Sequence, residues 1–159
     1  MEESRKKGAR SREQKSPHQD RKPPRMEPPF ADDQEFKRRV MHYPDIPMVE
    51  LVPGSNSHLF FGDRITVSFL TMAAGSYFPP HRHGPEQIMI VLDGYADEIV
   101  EGKLYRLQKG DVIVLPSNVE HGAYLREVDC QVIDIFTPPR EDFRDKYMKV
   151  LQKTKIRRS

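Results

Sequence analysis

The stretch GSYFPPHRHGPEQIMIVLDG, Gly75 to Gly94, sets two histidines one residue apart and follows them with Glu86 and Gln87. Its second half, QIMIVL, is an apolar run that reads as a strand buried on both sides. Asp93-Gly94 after it reads as a hairpin turn. Alternate residues of a strand share a face. His81 and His83 are therefore expected to point the same way, roughly 6.6 Å apart at about 3.3 Å per residue. Two imidazoles at that spacing can lean onto one metal ion, which then needs further ligands from elsewhere in the chain.

The sequence around this stretch is rich in strands. From Ile46 onward, short β-forming runs alternate with turn signals at a spacing of about 8–12 residues, the pattern of a sandwich or barrel. RITVSFLTM reads as one long strand, and YADEIV and KLYRL as a hairpin across Glu101-Gly102. Lys109-Gly110 turns the chain into DVIVLP, and EHGAYLREV and CQVIDIF supply two more strands. Neither an internal repeat nor a long helix is expected before residue 140. Beyond Pro138-Pro139 a helix is expected, with Glu141 and Asp142 at its positive end. Phe143, Tyr147, Val150 and Leu151 form its apolar stripe, and the final KTKIRRS is expected to fray.

Charge is unevenly spread. Residues 1–40 hold 12 Lys and Arg against 8 Asp and Glu, residues 41–140 hold 7 against 13, and residues 141–159 hold 7 against 3. The overall +2 thus covers an acidic middle between two basic ends. The polar, Pro-bearing start cannot offset its ordering entropy by burial and is expected to be disordered. Its basic residues alternate with acidic ones, which argues against nucleic acid as the partner. Cys130 is the only cysteine, so an intramolecular disulfide and a thiolate zinc cage are both excluded. No secretory signal and no membrane-length apolar run is read from the sequence, so no membrane partner and a cytoplasmic, reducing location are expected.

The third histidine of interest is His121 in LPSNVEHGAYL, where His121, Ala123 and Leu125 share a face. A closed barrel would return it beside the first pair. A fourth ligand is Gln87 or Glu86. An unbroken strand from His81 turns Gln87 inward and Glu86 outward, but Gly84-Pro85 can break that parity, so both stay open. Glu is the better ligand for a hard divalent cation, whereas neutral Gln leaves the ion its full charge. His18, His42 and His58 lack any such setting and read as surface residues. In CQVIDIFTPPRED, Val132, Asp134 and Phe136 share one face and Ile133 and Ile135 the other. A carboxylate there is costly to bury unless paired, which makes Asp134 either the partner of a cation, with Arg140 as a candidate, or a working group.

Two sets of residues resemble the metal motifs of the cupin family. Gly75, His81, His83, Gln87 and Gly94 resemble the first, with Gln87 in a slot that usually holds Glu. Gly110, Pro116, Asn118 and His121 resemble the second, with Asn118 at a usual Gly and Leu125 at a usual Asn. The resemblance implies an all-β, single-domain cupin-type β-barrel (double-stranded β-helix or jelly roll) over residues 41–140. A disordered basic N-terminal tail, 1–40, would precede it, and a short C-terminal helix with a basic tail, 141–159, would follow. HGPEQ, EHGA and DIFTPPRED further resemble the pectin-degradation branch, which opens and ketonises unsaturated uronates. That likeness implies one divalent metal ion (Zn, Ni, Mn or Fe) held by His81, His83, Gln87 and His121, with Glu86 as the alternative to Gln87. It implies catalytic roles for Asp134 and Arg140, and binding of a small carboxylated substrate by Phe136 and Arg140. Two other readings stand beside it. One is a mononuclear iron dioxygenase, in which Tyr77 would matter, or another cupin lyase. The other is a non-catalytic module that senses a small acid. A homodimer is expected, because edge strands and an apolar helix face need cover.

Overall fold

In the computed structural model, which describes residues 28–156, ten strands form two sheets. The larger sheet runs, in spatial order, β1 (Met48–Val52), β2 (Ser55–Phe61), β3 (Thr66–Met72), β10 (Cys130–Thr137), β5 (Glu86–Asp93) and β8 (Val112–Leu115). The smaller runs β4 (Tyr77–His81), β9 (His121–Tyr124), β6 (Tyr95–Val100) and β7 (Lys103–Gln108). Both sheets contribute alternate residues to one core, Leu59, Leu70, Met89, Val91 and Val132 from the first and Ala96, Leu107 and Leu125 from the second side. Cys130 lies fully inside it, its thiol pushed up to about 11 by burial.

Two turns show how glycine directs the chain. Glu101 and Gly102 both have positive φ, 48° and 75°, the geometry of a two-residue hairpin between β6 and β7. Asp93-Gly94, read above as another hairpin, is not one. β5 pairs with β10 and β8, β6 with β7 and β9, and the turn carries the chain from one sheet to the other. Gly94 has φ 74°, and any Cβ there would collide with the Asp129 carbonyl oxygen. The signal for a tight turn was present, but which strands it would join depends on long-range pairing.

QIMIVL also differs from its reading as a doubly buried strand. Gln87, Met89 and Val91 are buried, but Ile88 and Ile90 are only partly covered and Leu92 is exposed. The outer face of β5 is thus apolar without being enclosed. At the C-terminal end, α2 (Glu141–Ile156) buries Phe143 in the core and packs Tyr147 and Val150 against it. Lys146 Nζ donates to the Leu51 carbonyl at 2.9 Å, tying α2 to β1. The helix runs through Ile156, and residues 157–159 of the stretch expected to fray lie outside the described residues.

Residues 1–27 of the expected tail lie outside the described residues. Within its remainder stands a short helix, α1 (Asp33–Arg39), none of whose residues is buried. Asp32 caps it: Oδ1 accepts from the backbone N–H of Gln34 and of Glu35, each at 2.8 Å, while Asp32 N donates to Glu35 Oε2 at 3.2 Å. Local capping explains a helix that burial does not. Among the described residues, no helix is long and apolar enough to cross a membrane.

On the outer side of β6, Asp97 is 1% exposed and accepts from two arginines. Arg106 Nε and Nη2 donate at 2.8 and 3.1 Å, and Arg126 Nε at 2.9 Å. These bonds lock β6 to β7 and to the segment after β9. Arg106's hydrogen bond is the main reason the Asp97 carboxyl titrates below its usual 3.8. A depressed carboxylate pKa contributes stability that is present above the unfolded value and lost as pH falls through the folded one. Asp97→Asn is therefore expected to cost about 2 kcal/mol in denaturant unfolding at neutral pH. The difference from the parent chain should shrink as pH drops below 3.8.

Candidate metal centre

The register of β4 on β9 sets His81 directly opposite His121. His83 follows β4, and its segment is pinned to the turn before β9. Asn118 N donates to the His83 carbonyl at 2.9 Å, Arg82 Nη1 to the Asn118 carbonyl at 2.9 Å, and Arg82 Nη2 to Glu120 at 3.2 Å. Asn118 adopts φ 62°, a conformation that Asn tolerates better than most residues. Two segments far apart in sequence thus become one rim, and candidate ligand atoms of His81, His83 and His121 lie within 4.8 Å of one another.

Each of these rings is oriented in the same way. Nδ1 of His81 bonds the Pro79 carbonyl at 2.9 Å, that of His83 the Pro85 carbonyl at 2.7 Å, and that of His121 the Val119 carbonyl at 3.0 Å. A carbonyl can only accept, so each Nδ1 carries the proton and each neutral ring keeps its lone pair on Nε2. Nε2 of His121 is buried with no hydrogen-bond partner. Burial is the first cause that lowers the His83 pKa and brings that of His121 to about 4, so both rings are neutral at pH 7.

Gln87 is buried and points inward from β5, whereas Glu86 is exposed on the other side. The alternative role for Glu86 therefore finds no geometric support: the strand parity survives Gly84-Pro85. Gln87 Nε2 donates to Asp134 Oδ1 at 2.9 Å, which turns Oε1 toward His83 Nε2, 3.2 Å away. Two acceptor atoms facing each other, beside the orphaned Nε2 of His121, suit a cation between them. The donor set, three imidazole nitrogens and an amide oxygen, fits a divalent ion such as Zn, Ni, Mn or Fe.

Below this rim lies a cavity of about 200 Å³, lined among others by His81, Gln87, Glu98, His121, Asp134 and Arg140. That is smaller than the roughly 300–1,000 Å³ of a drug-sized site and suits a ligand the size of one sugar. Asp134 is 4% exposed, and burial raises its pKa to about 7, partly opposed by the Gln87 hydrogen bond and the charge of Arg140. Arg140 is not the direct partner that the sequence suggested for Asp134. Its Nε and Nη2 are held by Asp142 at 2.8 and 2.7 Å, and its guanidinium lies over the rings of Phe143 (4.1 Å) and Phe136 (5.1 Å). Phe136 also meets the His83 ring edge-on at 5.6 Å.

Other residues named from the sequence fall elsewhere. Tyr77 is 49% exposed and meets Tyr124 on the surface. His58 bonds the Ile46 carbonyl, His42 is exposed beside Asp45, and His18 lies outside the described residues. Sequence reasoning missed Asp142, which orients Arg140, and Glu98, which enters the cavity from β6. The adjacent acids of YADEIV were the available signal, since two neighbours in a strand face opposite ways and one must turn inward.

A sequence profile of the cupin domain matches residues 68–136. The chain is 30% identical over 108 residues to the pectin degradation protein KdgF of Dickeya dadantii (strain 3937), covering 67% of this chain and 98% of that one. It is 31% identical over 93 residues to the H2HPP isomerase of Bacillus subtilis, covering 57% of this chain and 39% of that one. The solved structure of KdgF from a Halomonas species matches with a TM-score of 0.57 at 30% identity, covering 61% of this chain and 90% of that one. An RmlC-like cupin from Shewanella frigidimarina, 24% identical with a TM-score of 0.62 over 66% of this chain and 95% of that one, shares the fold.

If these four side chains hold an ion, Ni²⁺ or Zn²⁺ added at a hundred times its dissociation constant should stabilise the protein by about 2.7 kcal/mol. His121→Ala should abolish both that gain and the retention of metal after gel filtration, read by elemental analysis.

Proposed function

We propose that this chain, which belongs to the cupin family, is a metal-dependent enzyme that opens the ring of an unsaturated uronate and ketonises it. One observation carries this reading: Asp134, a buried carboxyl whose pKa burial raises to about 7, is hydrogen-bonded to Gln87 at the edge of the histidine cluster, in a cavity that Arg140 also lines. The kinship with a pectin degradation protein supports the substrate class.

The reaction is an isomerisation. The hemiacetal hydroxyl at C1 loses its proton, the bond from C1 to the ring oxygen breaks with its electron pair going to that oxygen, and the C5 enolate so formed gains a proton at C4 to become a ketone. A divalent ion held by His81, His83, His121 and Gln87 would supply Lewis acidity toward the substrate oxygens. Asp134, poised near neutrality, is the group to take the hydroxyl proton. Arg140 has Nη1 uncommitted among the described residues, and holds the uronate carboxylate with it. Phe136 supplies an apolar wall for the sugar ring. No electron leaves the substrate, so no redox metal is required.

A second copy of the chain is the proposed cover for the outer face of the larger sheet. Strand register lines up Phe60, Val67, Ile135, Ile88 and Val114 in one row across five strands. His58, Phe69, Ile133, Ile90 and Val112 form the next row. Neither row holds a carboxylate, lysine or arginine, so an identical face meets it without like-charge repulsion, and a two-fold pair is self-complementary. This is where the homodimer is sought.

Metal-loaded protein is expected to bleach the ultraviolet absorbance of a 4,5-unsaturated uronate. Asp134→Asn should slow this by about 10²–10⁴-fold while retaining metal. A fully loaded parent protein that leaves the absorbance unchanged sinks the uronate reading. Light scattering is expected to return twice the 18.5 kDa chain mass. Val114→Lys, at a position already 54% exposed, should return the single-chain mass with an unchanged fold; a monomeric parent would rule out the dimer.

A further inference from the structure

Glu98 is the one carboxyl of the cavity to which neither the fold nor the proposed reaction has yet given a role. It is 2% exposed, and nothing among the described residues offsets its burial: no guanidinium, ammonium or hydrogen-bond donor pulls its pKa down. Its neighbour Asp97, on the opposite face of the same strand, has two arginines. A carboxyl left alone inside a barrel costs stability, and an apolar side chain in that inward slot beside Ala96 would cost none.

Its position is specific. Glu98 lies opposite Ala123 in the β6–β9 ladder, two residues along from the Val100–His121 pair. It therefore points to the same side as His121, about 7–8 Å away diagonally. In the other sheet Asp134 stands two residues from Phe136, which pairs with Gln87. Glu98 and Asp134 thus occupy equivalent depths in the two sheets, one step inside the metal-facing residues, and both line one cavity.

We infer that Glu98 is the proton donor of the site and protonates C4 of the substrate from the side of the cavity facing Asp134. This rests on the uronate reading above. In that reaction one proton leaves the C1 hydroxyl and one must arrive at C4, on a different atom. Asp134 takes the first as the C1–ring oxygen bond breaks. Glu98 gives the second as the C5 enolate becomes a ketone, leaving Glu98 as carboxylate. Proton transfer from Asp134, directly or through water, restores both groups. Burial and the charge of Asp134 hold the Glu98 pKa well above its usual 4.5, the direction that favours the protonated form.

The test uses full-length, metal-loaded protein with a 4,5-unsaturated uronate in D₂O, with Glu98→Gln and Glu98→Leu beside the parent. The parent is expected to place deuterium at C4 in a single configuration, read by proton NMR. Glu98→Gln should lower kcat by about 10²-fold or more and scramble the C4 configuration of the product that still forms, because solvent then supplies the proton to either face. Both variants should melt no lower than the parent, and Glu98→Leu higher. Parent rate and a single C4 configuration in Glu98→Gln overturn the inference while the uronate reading stands. A lower melting temperature in both variants, or failure to fold, makes Glu98 a structural group and overturns it equally. A parent that does not consume the uronate removes the reading and the inference together.

Discussion

Three hydrogen bonds from imidazole to backbone carbonyl underlie the rest. Pro79, Pro85 and Val119 offer oxygens that can only accept, and each takes the Nδ1 proton of His81, His83 or His121. The tautomer follows from chemistry rather than choice, and the three Nε2 atoms are left with lone pairs. Such convergence of acceptors is unfavourable on its own, most of all for His121 Nε2, which has lost water and gained nothing. The Gln87 amide adds another acceptor, turned that way because Asp134 holds its NH₂. Converging lone pairs in a partly dry site, one of them without a partner, form a donor set that could hold a cation.

The acids show how one strand can run two opposite electrostatic arguments. Asp97 and Glu98 are adjacent and both nearly inaccessible. Outward, two guanidinium groups overcome the cost of burial and the pKa falls. Inward, burial stands unopposed and the pKa rises. The environments decide the difference: the first carboxyl serves as a clamp, while the second is biased toward its protonated form. Asp134 falls between them, since Gln87 and the charge of Arg140 oppose burial without cancelling it.

Arg140 illustrates a compromise of another kind. A guanidinium that faced Asp134 directly would keep that carboxyl ionised. Asp142 instead holds one edge of Arg140 at the start of α2, while Phe136 and Phe143 flank its plane. The cation is kept in place and its pull on Asp134 stays partial. The same helix that supplies Asp142 also buries Phe143, so closure of the core and orientation of the site are one event.

The strand-rich core, the turn positions and the histidine spacing were readable from the sequence, because period-two alternation and turn chemistry act over a few residues; Gly84-Pro85 left the choice between Gln87 and Glu86 open. The cupin likeness of residues 75–121 was legible for the same reason, since both motifs are runs of local spacing. The helix at 33–39 went unread because its cap, Asp32 with Glu35, lay in a charged stretch without an apolar stripe. Pairing partners belonged to the tertiary structure alone. Only long-range register could send Asp93-Gly94 between sheets instead of into a hairpin, give Arg140 to Asp142 rather than Asp134, and bring Glu98 into the cavity. Hydrogen bonds between strands and the loss of water around a carboxyl are set by what lies across the barrel, and no neighbour in the chain carries that information.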